Sequence, residues 1–470
     1  MKGILFQYEL QPATWVYISS LMTIGIYFKF RRFWSLRNLD LIALIAFSPG
    51  LLLVYQGVQR QLDVHERFTQ QWLPLLFVDP GVSLQWLEQL AADQRFGQWL
   101  EQFGHIWLFS VGGFFLIRLL LDAIVVRRPL LEPNLSASGL TFTGVALLIF
   151  LTSNVLNPNP APRLEHALAE QQSRVSPAPG GVLFRATIGP ADMPANSARQ
   201  ETPEERRSQW IREAVGQGAA ILGHLAVVIG IVLVGYRHFD NIQTGMAAAA
   251  LYLLLPYTAQ MTARLDHVIP AALLVWAVQS YRRPAVAGIL IGLAAGLIFY
   301  PLFLLPLWCG FYWRRGLYRF LIGLCGALLA VGIALACTPG GLESLGGQLQ
   351  EMFSWTSSLP GDLAGFWNPE YHEPVFRIPV IAAFMALAGG LALWPAQKNL
   401  GTLLSCSAAV MLGTQFWHAH YGGIYMAWYL PLLVLTIFRP NLEDRVALSA
   451  VNELWFRFRK PRPARTPAAT

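Results

Sequence analysis

Residues 281–300 read YRRPAVAGILIGLAAGLIFY, an apolar run that follows a pair of arginines. A second pair, Arg314–Arg315, stands in a connector further along the chain. The same alternation of apolar runs and basic connectors occurs earlier, at Arg31–Arg32 and Arg127–Arg128. Basic connectors stay on the cytoplasmic side of a membrane, so their recurrence is typical of a chain that crosses a bilayer many times. This pattern decides the fold class.

The overall composition agrees with a membrane protein. Of 470 residues, 54% are hydrophobic and only 13% are charged, whereas soluble proteins have about 25% charged residues. Within lipid, helices satisfy all their own backbone hydrogen bonds. The sequence therefore predicts an all-α fold, a single polytopic transmembrane helix bundle of about 13 spans with long extracytoplasmic loops. Its net charge of +7 lies in connectors and the tail, which indicates contact with anionic lipid and no nucleic-acid partner.

Placing the basic connectors in the cytoplasm predicts a bacterial inner-membrane protein with its N-terminus outside and its basic tail, 439–470, inside. Three long loops then lie outside: Gln59–Gly104, with three Arg against six acids, Asn157–Glu213, and Cys337–Phe376, with five acids and no Lys or Arg. We expect part of the Pro- and Ala-rich second loop to be mobile. Outer loops are where functional side chains are expected.

The first outer loop contains apolar side chains at helical spacing, namely Ala92, Phe96, Trp99, Leu100 and Phe103. This spacing predicts an amphipathic helix, which either lies on the membrane surface or packs against neighbouring spans.

Two carboxylates in the same loop are candidate catalytic groups. Asp63 and Glu66 flank His65, and a carboxylate in such a group can take a proton from a hydroxyl. The alternative is a solvated polar turn.

A second candidate group, Arg264, Asp266 and His267, stands where the chain returns to an apolar run. Ionisable residues at such a depth are costly and often functional, although Asp266 could instead cap the next helix. Arg118 and Asp122, four residues apart, are explained by an ion pair within one span.

Aromatic and histidine-rich connectors complete the candidates. Trp355 and Trp367 lie among carboxylates, a combination suited to stacking on a sugar, or they form an interfacial aromatic belt. His418, His420 and Tyr421 can contact a phosphate. No third metal ligand is assignable beside them, so we expect no metal cofactor.

The stretch Ala259–Arg319 resembles the C-type (GT-C) membrane glycosyltransferases, especially the bacterial polyprenol-phosphate-mannose-dependent mannosyltransferases. The matching features are the polar group at 264–267, the connector at 281–284, the small-residue run 287–295 and a Pro-containing span, followed by a histidine connector at 418–421. The chain also resembles membrane proteins of planctomycete-type bacteria, a likeness that implies no activity.

The resemblance implies transfer of a sugar from a polyprenyl-phosphate donor to an extracytoplasmic acceptor. The family's catalytic Asp lies in the outer loop after the first span, whereas the first long outer loop of this chain follows the second span. If this chain has one extra span at its N-terminus, Asp63 matches the catalytic Asp. Glu66 is the second candidate for that role. His418, His420 and Arg264 would stabilise the leaving phosphate. The other function class is a non-enzymatic transporter or assembly component, for which the sequence shows no internal repeat.

Overall fold

The chain forms an all-helical membrane bundle. The structure, a computed structural model, describes residues 11–68, 84–123, 131–156, 168, 203–337, 363–395 and 398–440. Within these residues the regular elements are all helical, and an isolated parallel β-bridge joins Ala364 to His420. The predicted all-α fold is confirmed for the described part of the chain.

The α-helices of the described residues follow one another in this order: α1 (Pro12–Tyr27), α2 (Leu36–Arg67), α3 (Leu84–Leu120), α4 (Ala137–Leu156), α5 (Pro203–His238), α6 (Ile242–Leu254), α7 (Pro256–Gln260), α8 (Leu265–Gln279), α9 (Pro284–Leu297), α10 (Leu305–Tyr312), α11 (Leu317–Ala336), α12 (Arg377–Leu393), α13 (Leu400–Gly413) and α14 (Leu430–Phe438). Short 3-10 turns occur between several of them, at Tyr300–Leu304, Gly365–Trp367, Thr414–Phe416 and Met426–Trp428.

Helix starts carry the expected local signals. The Ser35 hydroxyl accepts from the backbone N–H of Asn38 at the start of α2, and Asn399 forms a capping box with Thr402 at the start of α13. Pro284 stands in the first turn of α9, where its missing N–H costs no helical hydrogen bond.

Six described helices are long and apolar enough to cross a membrane, and the chain is a multi-pass membrane protein on that basis. They are Leu36–Arg67, Glu88–Leu120, Ala137–Leu156, Ala214–His238, Leu317–Ala334 and Pro374–Leu393. The predicted count of 13 spans is not confirmed. Several apolar helices are short; α14 has 9 residues and so a length of about 14 Å, against a hydrocarbon core of about 30 Å.

The centre of the bundle is formed by two of these short helices. Every residue of α13 and of α14 is buried, which is the property of a helix enclosed by other helices. The segment between them, residues 414–429, which we call the central connector, is therefore held inside the protein, where its side chains can form a site.

The predicted first outer loop is largely helical. α2 continues to Arg67 and α3 already begins at Leu84, so the expected amphipathic segment is part of a long helix. The two helices approach closely because glycines face the partner helix: a Cβ on Gly57 would lie 2.6 Å from the Glu101 backbone nitrogen, and one on Gly104 would lie 2.7 Å from Val54.

The apolar side chains of that segment fall on two sides of α3, with the aromatic ones on the exposed side. Leu100 is buried, whereas Phe96, Trp99 and Phe103 are exposed and their rings stack in series, at 6.0 and 5.4 Å between centroids. The surface-lying helix is thus replaced by a helix packed on α2, the second interpretation of the spacing. At 37 residues, α3 is about 55 Å long and exceeds the hydrocarbon core.

A buried ion network joins the opposite ends of the chain. Arg118 donates to Asp122 at 2.8 Å, as the sequence predicted, and its other nitrogens donate to both oxygens of Asp40 at 3.1 Å. Arg439, which follows α14, donates to the second oxygen of Asp122 at 2.6 Å. These four side chains, which we call the ion network, fasten α14 and hence the central connector to α2 and α3.

Candidate functional site

Five side chains from three separate parts of the chain form one packed group, which we call the histidine cluster. Its members are His267, Tyr300, His418, Tyr425 and Trp428, all buried. α8 supplies His267 at its first turn, the 3-10 turn after α9 supplies Tyr300, and the central connector supplies the remaining three.

Tyr425 is the middle of this cluster. Its ring lies 4.6 Å from His267 and 4.4 Å from His418, measured between ring centroids, with Trp428 at 4.6 Å. Tyr300 stacks on His418 at 4.9 Å. The two predicted groups at 264–267 and 418–421, about 150 residues apart in sequence, are therefore neighbours in the fold.

A partly accessible ion pair lies beside the cluster. Arg264 donates from Nε and Nη2 to the two carboxylate oxygens of Asp266, at 3.0 and 2.7 Å, and their side chains keep 17% and 25% exposure. Asp266 lies in the first turn of α8, and the N-cap residue is Arg264, so the interpretation of Asp266 as a cap is wrong. Asp266 is held instead through its backbone carbonyl, which accepts from Trp428 Nε1.

The histidines of the cluster have defined hydrogen bonds on one side of the ring. His418 Nδ1 accepts from the backbone N–H of His420 at 3.1 Å, which places the proton of the neutral ring on Nε2. With Nδ1 accepting, the Nε2–H of the neutral ring can donate. His267 Nδ1 lies 2.6 Å from the hydroxyl of Tyr257.

The end of the third outer loop packs against the histidine connector. Ala364 donates to the carbonyl of Ala419 and accepts from the backbone N–H of Tyr421, both at 3.1 Å, which makes the bridge opposite His420. Trp367 is buried and donates from Nε1 to the carbonyl of Phe416. Trp367, His420 and Tyr421 therefore belong to one unit, and burial raises the pKa of the Tyr421 phenol well above its ordinary value.

The remaining predicted site residues are elsewhere or undescribed. Asp63 and Glu66 are exposed near the end of α2. Among the described residues, no hydrogen bond or ion pair joins Asp63 to the histidine cluster; its backbone carbonyl accepts from Arg67. Trp355 lies outside the described residues, as do most of the loop Asn157–Glu213 and residues 441–470 of the tail.

A buried acid–base pair escaped the sequence analysis. Glu101 and His105 lie one turn apart on α3, with 3.9 Å between Glu101 Oε1 and His105 Nε2. Gln61 donates to the other Glu101 oxygen at 2.6 Å, and His105 Nδ1 lies 3.1 Å from the carbonyl of Gly422. Their spacing of four residues was the available signal. It was missed because the predicted loop ended at Gly104, between the two residues.

A buried cation was also missed. Arg377 at the start of α12 donates to the carbonyl of Trp417 at 2.7 Å, and its guanidinium lies 5.9 Å from the centre of the Trp417 ring. Its signal was a lone arginine at the boundary between an acidic loop and an apolar run. Because Trp417 immediately precedes His418, Arg377 adds positive charge next to the histidine cluster.

The depth of these groups follows from helix geometry. His105, which contacts the central connector, lies about 20 Å along α3 from Arg118 in the ion network, whereas Asp63 lies about 35 Å along α2 from Asp40. The hydrocarbon core of a membrane is about 30 Å thick. If the ion network lies at one face of the membrane, the histidine cluster lies within the opposite leaflet. Asp63 then lies at or beyond the opposite surface.

The arrangement brings hydrogen-bond donors and aromatic rings together. Arg264, Arg377 and the Nε2–H of His418 are donors for an anion, and the rings of Tyr300 and Tyr425 offer apolar faces. Among the described residues no group of three or more His, Cys, Asp or Glu side chains could hold a metal ion.

Comparisons with protein-family models, with curated proteins and with solved structures find no match for this chain.

Proposed function

We propose that the protein is a membrane glycosyltransferase that moves one sugar from a polyprenyl-phosphate donor to an acceptor outside the cytoplasm. The observation that carries the proposal is the meeting of the Arg264–Asp266–His267 group with His418 around Tyr425. Cationic and hydrogen-bonding groups beside an aromatic cluster, at the depth of one leaflet, suit the phosphate of a lipid whose chain stays in the bilayer.

In this proposal the leaving phosphate is stabilised by Arg264, His418 and His420 through hydrogen bonds that strengthen as negative charge develops on its oxygen. Trp355 and Trp367 contact the sugar. Asp63 takes the proton of the acceptor hydroxyl, with Glu66 as the second candidate. These roles demand no metal ion.

The carboxylate of Glu101 is the main competitor of Asp63 for the role of base. Asp63 is accessible to an acceptor that arrives from outside the membrane, whereas Glu101 is buried but shares its neighbourhood with the central connector through His105 and Gly422. A general base contributes about 10²- to 10⁴-fold to a rate, so variants of the two residues separate the assignments.

The finer topology belongs to the same proposal. It comprises about 13 crossings of a bacterial inner membrane, an outer N-terminus and a cytoplasmic C-terminus, which places the ion network at the cytoplasmic face and the histidine cluster in the outer leaflet.

The test is sugar transfer by the purified, detergent-solubilised protein, supplied with a panel of radiolabelled polyprenyl-phosphate sugars and a membrane extract. We expect Arg264→Gln and His418→Leu each to lower the rate about 100-fold or more, because the first removes a positive charge and the second removes a hydrogen-bond donor to the developing charge. Arg319→Gln is the matched control, since Arg319 is exposed at the start of α11 and its loss should leave the rate unchanged.

The base is assigned in the same assay. Loss of transfer in Asp63→Asn but not in Glu101→Gln supports Asp63, and the reverse result supports Glu101. Absence of transfer from every donor by the folded wild type would overturn the proposal in favour of a non-enzymatic membrane protein. Full activity of both Arg264→Gln and His418→Leu would overturn the assignment of the phosphate site to these residues.

A further inference from the structure

A polar pocket of about 430 Å³ lies at the other end of the bundle from the histidine cluster. It is formed where α5 and α8 end and where α6 and α9 begin, and its lining includes Arg237, Asp240, Ser280, Arg282 and Arg283. α8 begins beside the histidine cluster and ends at the pocket, so its 15 residues separate the two by about 20 Å.

The pocket has a strong excess of positive charge. Three guanidinium groups face a single carboxylate, Asp240, among its lining residues. One face is fixed by His238, whose Nε2 lies 2.8 Å from the carbonyl of Gln279. Arg282 is held over the ring of Tyr281, at 5.7 Å from its centre.

The ordinary explanation of the arginines covers only part of this arrangement. Cations are favoured at the C-termini of α5 and α8 and in any cytoplasmic connector. Neither effect requires that two segments about 45 residues apart in sequence place their arginines around one concave space. The last turn of α5, with Arg237, and the connector at 280–283, with Arg282 and Arg283, do so here.

The pocket also adjoins apolar surface that faces outward. Tyr236, one of its lining residues, is 58% exposed. Ile242 in the first turn of α6 and Val286 and Ile289 at the start of α9 are exposed as well. Exposed apolar side chains on a membrane helix face lipid chains, so this basic pocket opens beside the acyl region of the bilayer. Basic pockets between membrane helices on the cytoplasmic side are suited to anionic headgroups.

We propose that this pocket, which we call the basic pocket, binds the phosphate group of an anionic lipid of the inner leaflet. Arg237 and Arg283 contact the phosphate oxygens, Arg282 supplies further positive charge, and the acyl chains lie along Val286 and Ile289. A soluble phosphate compound shares the same anionic chemistry, and the experiment distinguishes the two sources.

The test uses the full-length protein in neutral detergent and native mass spectrometry with added dioleoyl-phosphatidylglycerol or dioleoyl-phosphatidylcholine. We expect phosphatidylglycerol to bind the wild type and the double variant Arg237→Gln/Arg283→Gln to bind it about 30-fold more weakly, about fivefold for each lost arginine near a membrane surface. The control Arg319→Gln removes one exposed charge outside the pocket and should bind as the wild type does.

A second variant is expected to bind more tightly, which a misfolded protein cannot do. Asp240→Asn removes the carboxylate that repels the ligand, and we expect phosphatidylglycerol to bind about fivefold more tightly. Asp240 has a positive φ of 56°, a conformation that asparagine tolerates as well, so the substitution leaves the connector unstrained.

Inorganic phosphate and pyrophosphate, added in thermal unfolding experiments, distinguish the sources. Stabilisation by phosphatidylglycerol alone supports the lipid headgroup. Stabilisation by the soluble anions alone, lost in Arg237→Gln/Arg283→Gln, overturns the lipid and keeps a phosphate site. Equal binding of phosphatidylglycerol and phosphatidylcholine, or equal loss in Arg319→Gln, overturns the proposal. None of these readouts depends on sugar transfer.

Discussion

Replacing Asp122 with leucine should destabilise the protein strongly, because the ion network would then hold two cations and one anion away from water. Asp122 accepts from Arg118 at 2.8 Å and from Arg439 at 2.6 Å, and the three side chains are at most 9% exposed. Removing one partner of such a network costs about 3–5 kcal/mol. Arg439→Met leaves an excess of negative charge instead, because Arg118 is then the only cation beside Asp40 and Asp122. This substitution should cost a similar amount of unfolding free energy.

The double variant Asp122→Leu/Arg439→Met restores the balance, since Arg118 keeps both of its bonds to Asp40. Buried charges replaced by apolar side chains of similar volume are often tolerated, so we expect the double variant to lose no more stability than either single one. The coupling between the two sites should therefore be at least about 3 kcal/mol, which is the upper end of what contacting residues usually show.

The assay is unfolding by SDS titration in mixed micelles, followed by tryptophan fluorescence. The control cycle uses Arg67 and Asp93, an ion pair of 3.4 Å with side chains 46% and 45% exposed, for which we expect 0–1 kcal/mol in total. If the losses of unfolding free energy in the Asp122/Arg439 cycle are additive, the ion network does not act as a unit. That result would also refute the inference that the network fastens α14 and the central connector to α2 and α3.

A further prediction concerns packing. Gly288→Leu should prevent the close contact of α9 with α11, because a Cβ at Gly288 would collide with the carbonyl oxygen of Phe320. We expect a lowered melting temperature. The control Gly326→Leu on α11 has no atom within 4 Å of its Cβ position and should leave the melting temperature unchanged. Equal melting temperatures of the two variants would contradict this explanation.

The boundary of helices was the least predictable feature of the fold. Hydropathy alone indicates one span over Ile424–Phe438, yet a helix begins only at Leu430, after a 3-10 turn at Met426–Trp428. Conversely, hydropathy indicates a span that starts at His105, whereas the helix that contains it begins at Leu84. Hydropathy reports where lipid or protein surrounds a segment, but a helix persists beyond that limit when, as in α2 and α3, it packs against another helix.

The candidate site was predictable in its residue types and not in its arrangement. The histidine connector and the polar group at 264–267 are visible as polar breaks between apolar runs. Their meeting at Tyr425 is not, because nothing in the local spacing indicates which connectors share a level of the bundle. Glu101 and His105 escaped for a related reason, since a polar pair within a continuous helix looks like the edge of a loop.

The sequence by itself determined the helical membrane architecture, the basic connectors and the Arg118–Asp122 pair. These features depend on hydropathy, charge and a spacing of four residues, all of which are local. Only the tertiary structure decided that Asp40 and Arg439 complete the ion network, that His267 and His418 enclose Tyr425, and that Arg237 and Arg283 line one pocket. The physical reason is that each of these contacts joins distant segments, and the packing of the helices fixes which segments meet.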